Sequence, residues 1–321
     1  MAALRPVDPG DRAAFDEFYD VYARSYTRDF DCPWLAVEKR VNLTDDAYGT
    51  KVAVVVRDDL GEAVGGGTAT MPLQDNVEVV FVDVFVVPSH RRRGIGSTVL
   101  GGLIAVGRQH GRSSAFAMPA WGVGVQDDPA PRFAEAMGFA LEQLDAVREL
   151  SLPATLPPLR VDPAYTLATW RGPCPEEWVD EYAELRRILT EEAPNDAGLE
   201  NEHWDAERVR KDEADLVRVG RTMQVTVARA ASGGLAGHTQ LAFPDDDAEV
   251  YQWDTLVRPE HRGHGLGLAL KIHTMHASAD LLAGRRRITT ENAADNTHMI
   301  AVNEQLGFRQ TAWTGEYVRD I

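Results

Sequence analysis

The chain has 321 residues, 44% hydrophobic and 26% charged, an ordinary globular composition long enough for two domains that each bury a core. A formal net charge of −17 opposes nucleic-acid binding, which needs cations against phosphates, while permitting a cationic partner such as an amine. No stretch reaches the roughly 20 apolar residues of a membrane span, the opening MAALRPVDPGDR lacks a signal-peptide core, and Cys32 and Cys174 sit in no Cys/His cluster, so the expectations are cytoplasm, no membrane and no metal.

In chain order, Asp11–Tyr26 predicts an amphipathic helix, and Val52–Pro72 reads as strand, Gly-containing turn and strand. From Val77 an apolar strand runs through Pro88 into Arg-x-x-Gly-x-Gly at Arg91 to Gly96. A helix follows, burying Val99, Leu100, Leu103 and Ile104. The motif EAMGF ends at Phe139. Four prolines within Leu150–Tyr165 then predict a stiff linker. The expected division is an N-terminal domain at 1–152, a linker at 153–164 and a C-terminal domain at 165–321.

The second half repeats the first. Pro175–Ala193 predicts a helix with Trp178, Tyr182, Leu185 and Leu189 on one face, and Val225–Pro244 a second hairpin. Ala248–Met275 matches Val77–Ile104 at one constant offset: Glu249 with Glu78, Asp254 with Asp83, His261 with His90, Arg262 with Arg91, Gly265 and Gly267 with Gly94 and Gly96. EQLGF, ending at Phe308, matches EAMGF. A repeat this long is a domain duplication rather than a solenoid. Each half reads as strand, helices, three strands, helix, strand, helix, strand, an α/β fold with a mixed sheet.

A strand, a glycine-containing turn and a helix N-terminus together make an anion site. Glycines let several backbone N–H groups converge, the helix end adds unpaired donors, and Arg91, Arg92 and Arg93 add charge. A pyrophosphate is the natural guest, and a tight turn with no ligand is the alternative for either copy alone. A dinucleotide fingerprint is excluded by the Pro-x-His-Arg spacer after the strand, and a phosphoryl-transfer loop by the lack of Gly-Lys-Ser/Thr.

This twofold unit resembles the coenzyme A loop of the Gcn5-related N-acetyltransferase (GNAT) superfamily, over nearly the whole chain and in a tandem arrangement that the superfamily also contains. The resemblance implies two tandem acyl-CoA N-acyltransferase domains with acetyl-CoA as cosubstrate. It implies that the strand splays from its neighbour at a bulge to admit the cofactor. Val84, Phe85 and Val86, with Thr255, Leu256 and Val257, would contact pantetheine. Arg91, Arg92, Arg93, Gly94, Ile95, Gly96 and Ser97, and Arg262, Gly263, His264, Gly265, Leu266, Gly267 and Leu268, would cradle pyrophosphate. Asn296 opens the last motif and would also hold the cofactor.

Amine acylation needs a base to accept the amine proton and a way to stabilise or protonate the leaving thiolate. By the same resemblance Asp254, with counterpart Asp83, is the candidate base, and Glu249, with Glu78, the second choice. A solvated strand-end charge is the alternative for each. The family's thiolate-protonating tyrosine is missing: Asn303 stands there in the second copy and Ala134 in the first, leaving solvent, Tyr251 or another residue to substitute. The more polar second copy, QWDTLV against VDVFVV, favours catalysis in the C-terminal half and a supporting N-terminal half. His238 and His298 are possible further bases, and the acidic run Glu192–Glu207 with Trp204 a possible amine site. The expected acceptor is a small-molecule amine. A protein or peptide N-acetyltransferase, a non-catalytic acyl-CoA-binding module and an aminoacyltransferase are the alternatives, and the motifs are compatible with monomer or homodimer.

Overall fold

Alternating apolar residues and Gly-rich turns build the first half as strands on which helices pack. The computed structural model describes residues 4–44 and 47–321; residues 1–3 and 45–46 of the N-terminal repeat lie outside the described residues. The elements are β1 (Leu4–Val7), α1 (Arg12–Ser25), α2 (Ala36–Asn42), β2 (Gly49–Arg57), β3 (Ala63–Pro72), β4 (Val79–Val86), α3 (Ile95–Gln109), β5 (Ser114–Ala117), β6 (Ala120–Gly122), α4 (Pro129–Ala136) and β7 (Ala140–Ser151). The second half continues with β8 (Tyr165–Arg171), α5 (Val179–Glu192), α6 (Ala206–Arg218), β9 (Arg221–Ala230), β10 (Leu235–Pro244), β11 (Glu249–Val257), α7 (Leu266–Ala277), α8 (Ala279–Leu282), β12 (Arg287–Ala293), α9 (Thr297–Leu306) and β13 (Arg309–Asp320). No described helix is long and apolar enough to cross a membrane.

One compact unit comprises residues 1–144, 196–200 and 313–321. Its β1 to β4 form an antiparallel run, β4 then pairs with β5 in parallel, and Tyr317–Asp320 of β13 pair antiparallel with β5. Helix α1 begins on the Asp11 side chain, which accepts from the Ala13 and Ala14 N–H groups. It buries Phe15, Phe18 and Val21 against one sheet face, while α3 buries Val99, Leu100, Leu103 and Ile104 on another core. Each such side chain is worth about 1.5–3 kcal/mol of burial.

The other unit comprises residues 145–195 and 201–312. Strands β8 to β11 are antiparallel neighbours, β11 pairs with β12 in parallel, and Asp145–Ser151 of β7 pair antiparallel with β12. The repeats in sequence and the units in space are thus different divisions of the chain. Each unit includes a strand segment from the end of the other repeat. Helices α5 and α6 cover a core of Trp170, Tyr182, Leu185, Trp204 and Leu256, and α7 and α9 one of Val250, Ile272, Ile288, Val302 and Leu306. Leu152, Ala154 and Leu156 of the proline-rich segment pack onto this second core.

Candidate active site

The two loops share one backbone design. In the first, Arg92 and Gly94 take positive φ (65° and 80°); in the second, Gly263 and Gly265 do (85° and 69°). Alternating right- and left-handed residues turn successive N–H groups toward one point, the geometry of an anion nest. The helix then starts at Ile95 or Leu266, with its first bonds donated by Thr98 to Gly94 and by Ala269 to Gly265, so the preceding helical N–H groups are free. A side chain at Gly94, Gly263, Gly265 or Gly267 would meet nothing within 4 Å. Gly267 is nonetheless buried, so it faces a walled space. A side chain at Gly96 would instead touch the Phe133 ring at 3.3 Å, so α4 fills the corresponding space in the first copy.

Arg91 and Arg262, expected at the pyrophosphate, have a shared structural duty. Arg91 donates to Val86 O (3.0 Å) and Ser25 O (2.8 Å); Arg262 donates to Val257 O (3.3 Å) and the Glu192 carboxylate (2.7 Å). Each staples its loop to the end of the preceding strand and to the C-terminal region of the first long helix. Arg93 donates to Ser89 O, and His264 pairs with Asp162 at 2.7 Å. His90 pairs with Ser89 and Asp58, and His261 with the Tyr165 hydroxyl at 3.0 Å. The cradle of the second copy is therefore made chiefly of backbone.

Both strands splay. Pairing of β4 with β5 stops at Phe81↔Phe116, leaving Val84, Phe85 and Val86 unpaired on that side. Pairing of β11 with β12 stops at Tyr251↔Thr289, leaving Thr255, Leu256 and Val257 likewise. At the fork a side chain bridges the strands: Thr290 Oγ1 donates to Gln252 O at 3.0 Å. The copies differ on the other edge. Strand β3 meets β4 in unbroken register from Gly65↔Val86 to Thr70↔Phe81. Strand β10 meets β11 with a shift between Thr239↔Thr255 and Leu241↔Gln252, so β11 bulges at Trp253–Asp254. The Gln252 amide fills this bulge, donating to Gln240 O (2.7 Å) and Thr239 Oγ1 (3.0 Å). The bulge expected of both copies is present in the second alone.

The candidate carboxylates separate cleanly. Asp254 sits in the bulge, 23% exposed, with Arg186 Nε 2.8 Å away. Arg186 also holds Asp212 (3.2 Å) and stacks 3.9 Å over Trp204. Asp83 has a parallel arrangement, 3.3 Å from Lys39 Nζ. Glu249 lies at the closed end of the fork, 5% exposed, accepting from Arg286 Nε (2.9 Å) and Arg287 Nε (2.5 Å). Arg287 in turn donates to Glu149 at 2.5 Å. Glu249 is thus the hub of a buried ion-pair cluster, whereas its counterpart Glu78 is exposed. Tyr251, the last paired residue, packs with Trp253 against the Arg221 guanidinium, 5.0 and 5.3 Å from their ring centres.

Asn296 caps α9, its Oδ1 accepting from Met299 N at 3.1 Å. His298 is exposed. Trp204 is buried between Arg186 and Arg208, and Glu202 accepts from its Nε1, so its ring is already occupied by protein cations. His238 is fully buried beside the Tyr182 ring, and burial, then Arg186, lowers its pKa to about 3. It is neutral at physiological pH. Sequence reasoning missed Arg186 and Lys271. Lys271 is 1% exposed in α7 and donates to Asn303 Oδ1 at 2.7 Å. Its signal was a lone cation inside the apolar run LGLALKIHTM.

With this geometry in place, the sequence model described as Acetyltransferase (GNAT) family matches residues 15–139 and again 177–308. A mycothiol acetyltransferase of Clavibacter sepedonicus is 29% identical over 250 residues, covering 74% of this chain and 72% of that one. Among solved structures, a tandem GNAT protein from the clavulanic acid biosynthesis pathway matches with a TM-score of 0.84 and 27% identity, over 100% of this chain and 98% of its own. A GCN5-related N-acetyltransferase from Sphaerobacter thermophilus shares the fold, with a TM-score of 0.70 and 18% identity over 99% and 95% of the two chains. The chain belongs to the GNAT acetyltransferase family, carries two of its domains in tandem and is an N-acetyltransferase.

Proposed function

We propose that the chain transfers acetyl from acetyl-CoA to a primary amine of a small molecule, and that the C-terminal half performs the transfer. The carrying observation is the bulged fork of β11, which the first copy lacks. The residues present fit the cosubstrate. The Gly263–Leu268 nest offers converging N–H groups and open space to a pyrophosphate, and the free edge of Thr255, Leu256 and Val257 offers hydrogen bonds to an amide-bearing chain. Acetyl-CoA when bound supplies the activated acetyl group. The small-molecule assignment draws support from the relatives, whose names refer to mycothiol and to clavulanic acid biosynthesis.

Within this reading the bulge turns the backbone near Trp253 and Asp254 toward the opening, where an N–H can hold the developing oxyanion. Asp254 accepts the amine proton, directly or through one water, while Arg186 fixes its rotamer. The N-terminal half keeps its nest but has an unbroken β3–β4 register and the Phe133 ring against Gly96, which supports a scaffolding role. The test is thiol release from acetyl-CoA in the presence of a mixed pool of amines. Asp254→Asn preserves shape and is expected to lower turnover about 100-fold with little change in acetyl-CoA affinity. Turnover unchanged in Asp254→Asn would remove Asp254 from the role of base.

A further inference from the structure

We propose that Lys271, acting through Asn303, aims the side-chain N–H groups of Asn292 at the fork between β11 and β12, where they hold the charge that collects on the leaving sulfur. The inference rests on the acetyl-CoA reading above.

The argument is one of donors and acceptors. Protonated Lys271 can only donate, so the Asn303 oxygen faces it, as the 2.7 Å contact has it. The Asn303 nitrogen then faces Asn292 and donates to its Oδ1 at 2.6 Å. With its oxygen engaged, Asn292 can present only its NH2 group onward. That group has no partner among the described residues, and Asn292 is half-buried. It lies past Thr289, the last residue of β12 paired with β11, and so on the diverging wall of the fork. With Lys271 protonated, the orientation of both amides follows from the lysine end of the chain. Asn303 stands where the family places its tyrosine, and it is fully buried, which leaves Asn292 as the exposed end of the chain.

In the transfer step the amine nitrogen bonds to the acetyl carbon. The carbon–sulfur bond breaks with its electron pair going to sulfur, and the amine proton passes to Asp254. Sulfur holds a negative charge until that proton returns to it through solvent. Asn292 donates to the sulfur during that interval. Lys271 is a positioning residue that orders the two amides. Burial pushes Lys271 down to about 7, and no charged side chain contributes to that shift; what faces it is Asn303 of α9 and, at 5.8 Å, the Phe308 ring. The folded chain therefore binds fewer protons than the unfolded chain between about pH 7 and 10.5, and stability rises with pH across that window.

The test uses the full-length protein and free CoA, and needs no acceptor. Calorimetry measures CoA affinity, and ultraviolet absorbance of the thiolate follows the bound thiol against pH. The wild type is expected to bind CoA with a thiolate fraction near neutral pH about tenfold above that of free CoA. Lys271→Met and Asn292→Ala are expected to bind within twofold of wild type and lose this excess, the double variant losing no more than either single. Without ligand, the Lys271 side-chain NMR signal is expected to titrate near 7, and Lys271→Met to lack the rise in stability with pH. If the wild type fails to bind CoA, the acetyl-CoA reading falls. If CoA binds but its thiol titrates as it does in solution, or the excess survives in both variants, the acetyl-CoA reading stands and this inference is overturned.

Discussion

Gly265→Glu is expected to reduce thiol release from acetyl-CoA about a hundredfold while the chain stays folded. Gly265 has φ +69°, and a side chain there would meet no protein atom within 4 Å. The fold therefore bears only the left-handed backbone penalty, about 1–2 kcal/mol. The carboxylate would project into the nest. Against one phosphate charge at about 5 Å with an effective dielectric near 20, the repulsion is about 3 kcal/mol. The backbone penalty is common to the free and the bound chain, so the repulsion alone weakens binding, by about two powers of ten. Gly265→Asn carries no charge and tolerates the left-handed region, so it is expected to lose about tenfold or less. Gly94→Glu makes the same change in the loop assigned to scaffolding, and turnover is expected to remain near wild type. Equal losses from Gly94→Glu and Gly265→Glu would end the assignment of catalysis to one half.

Glu249→Ala is expected to cost about 3–5 kcal/mol of stability, measured by urea unfolding. The glutamate joins Arg286 and Arg287, and Arg287 is itself buried. Removing the glutamate leaves Arg287 with Glu149 alone, so part of a buried guanidinium charge goes uncompensated. Thiol release per folded molecule is expected to stay near wild type. Lost turnover with unchanged stability would instead make Glu249 a base. Asp254 and Glu249 are thus separated by opposite signatures: Asp254→Asn acts on rate, Glu249→Ala on stability.

The sequence ranked Asp254 ahead of Glu249 only by family resemblance, because both sit on the same strand before the same loop. What divides them is three-dimensional. Glu249 lies where β11 and β12 are still paired, and Asp254 lies in a bulge on the other edge. A bulge is a register event between two strands, and QWDTLV alone carries no mark of it. Local features were legible. The duplicated loops follow from glycines at fixed spacing, and α3 and α7 from their apolar periodicity. One detail went further than the motif: position 92 has the same positive φ as its counterpart Gly263, though it holds an arginine.

Long-range partnering was not legible. Nothing in residues 313–321 says that they pair within the first compact unit, since strand pairing is decided by distant neighbours. The Glu192–Glu207 acids and Trp204 read as an amine site because Arg186 and Arg208, which occupy the Trp204 ring, come from residues whose packing the sequence leaves open. Lys271 was hidden for a similar reason. A lysine in an apolar helix reads as a side chain reaching for water, and only burial against α9 shows otherwise.

The central claim is that acetyl-CoA binds the β11–α7 loop, and calorimetric titration of acetyl-CoA into the wild type and the Gly94→Glu and Gly265→Glu variants tests it most directly. The account expects saturable binding by the wild type, with a site that survives Gly94→Glu and disappears in Gly265→Glu. No binding by the wild type, or binding that Gly265→Glu leaves intact, would contradict it.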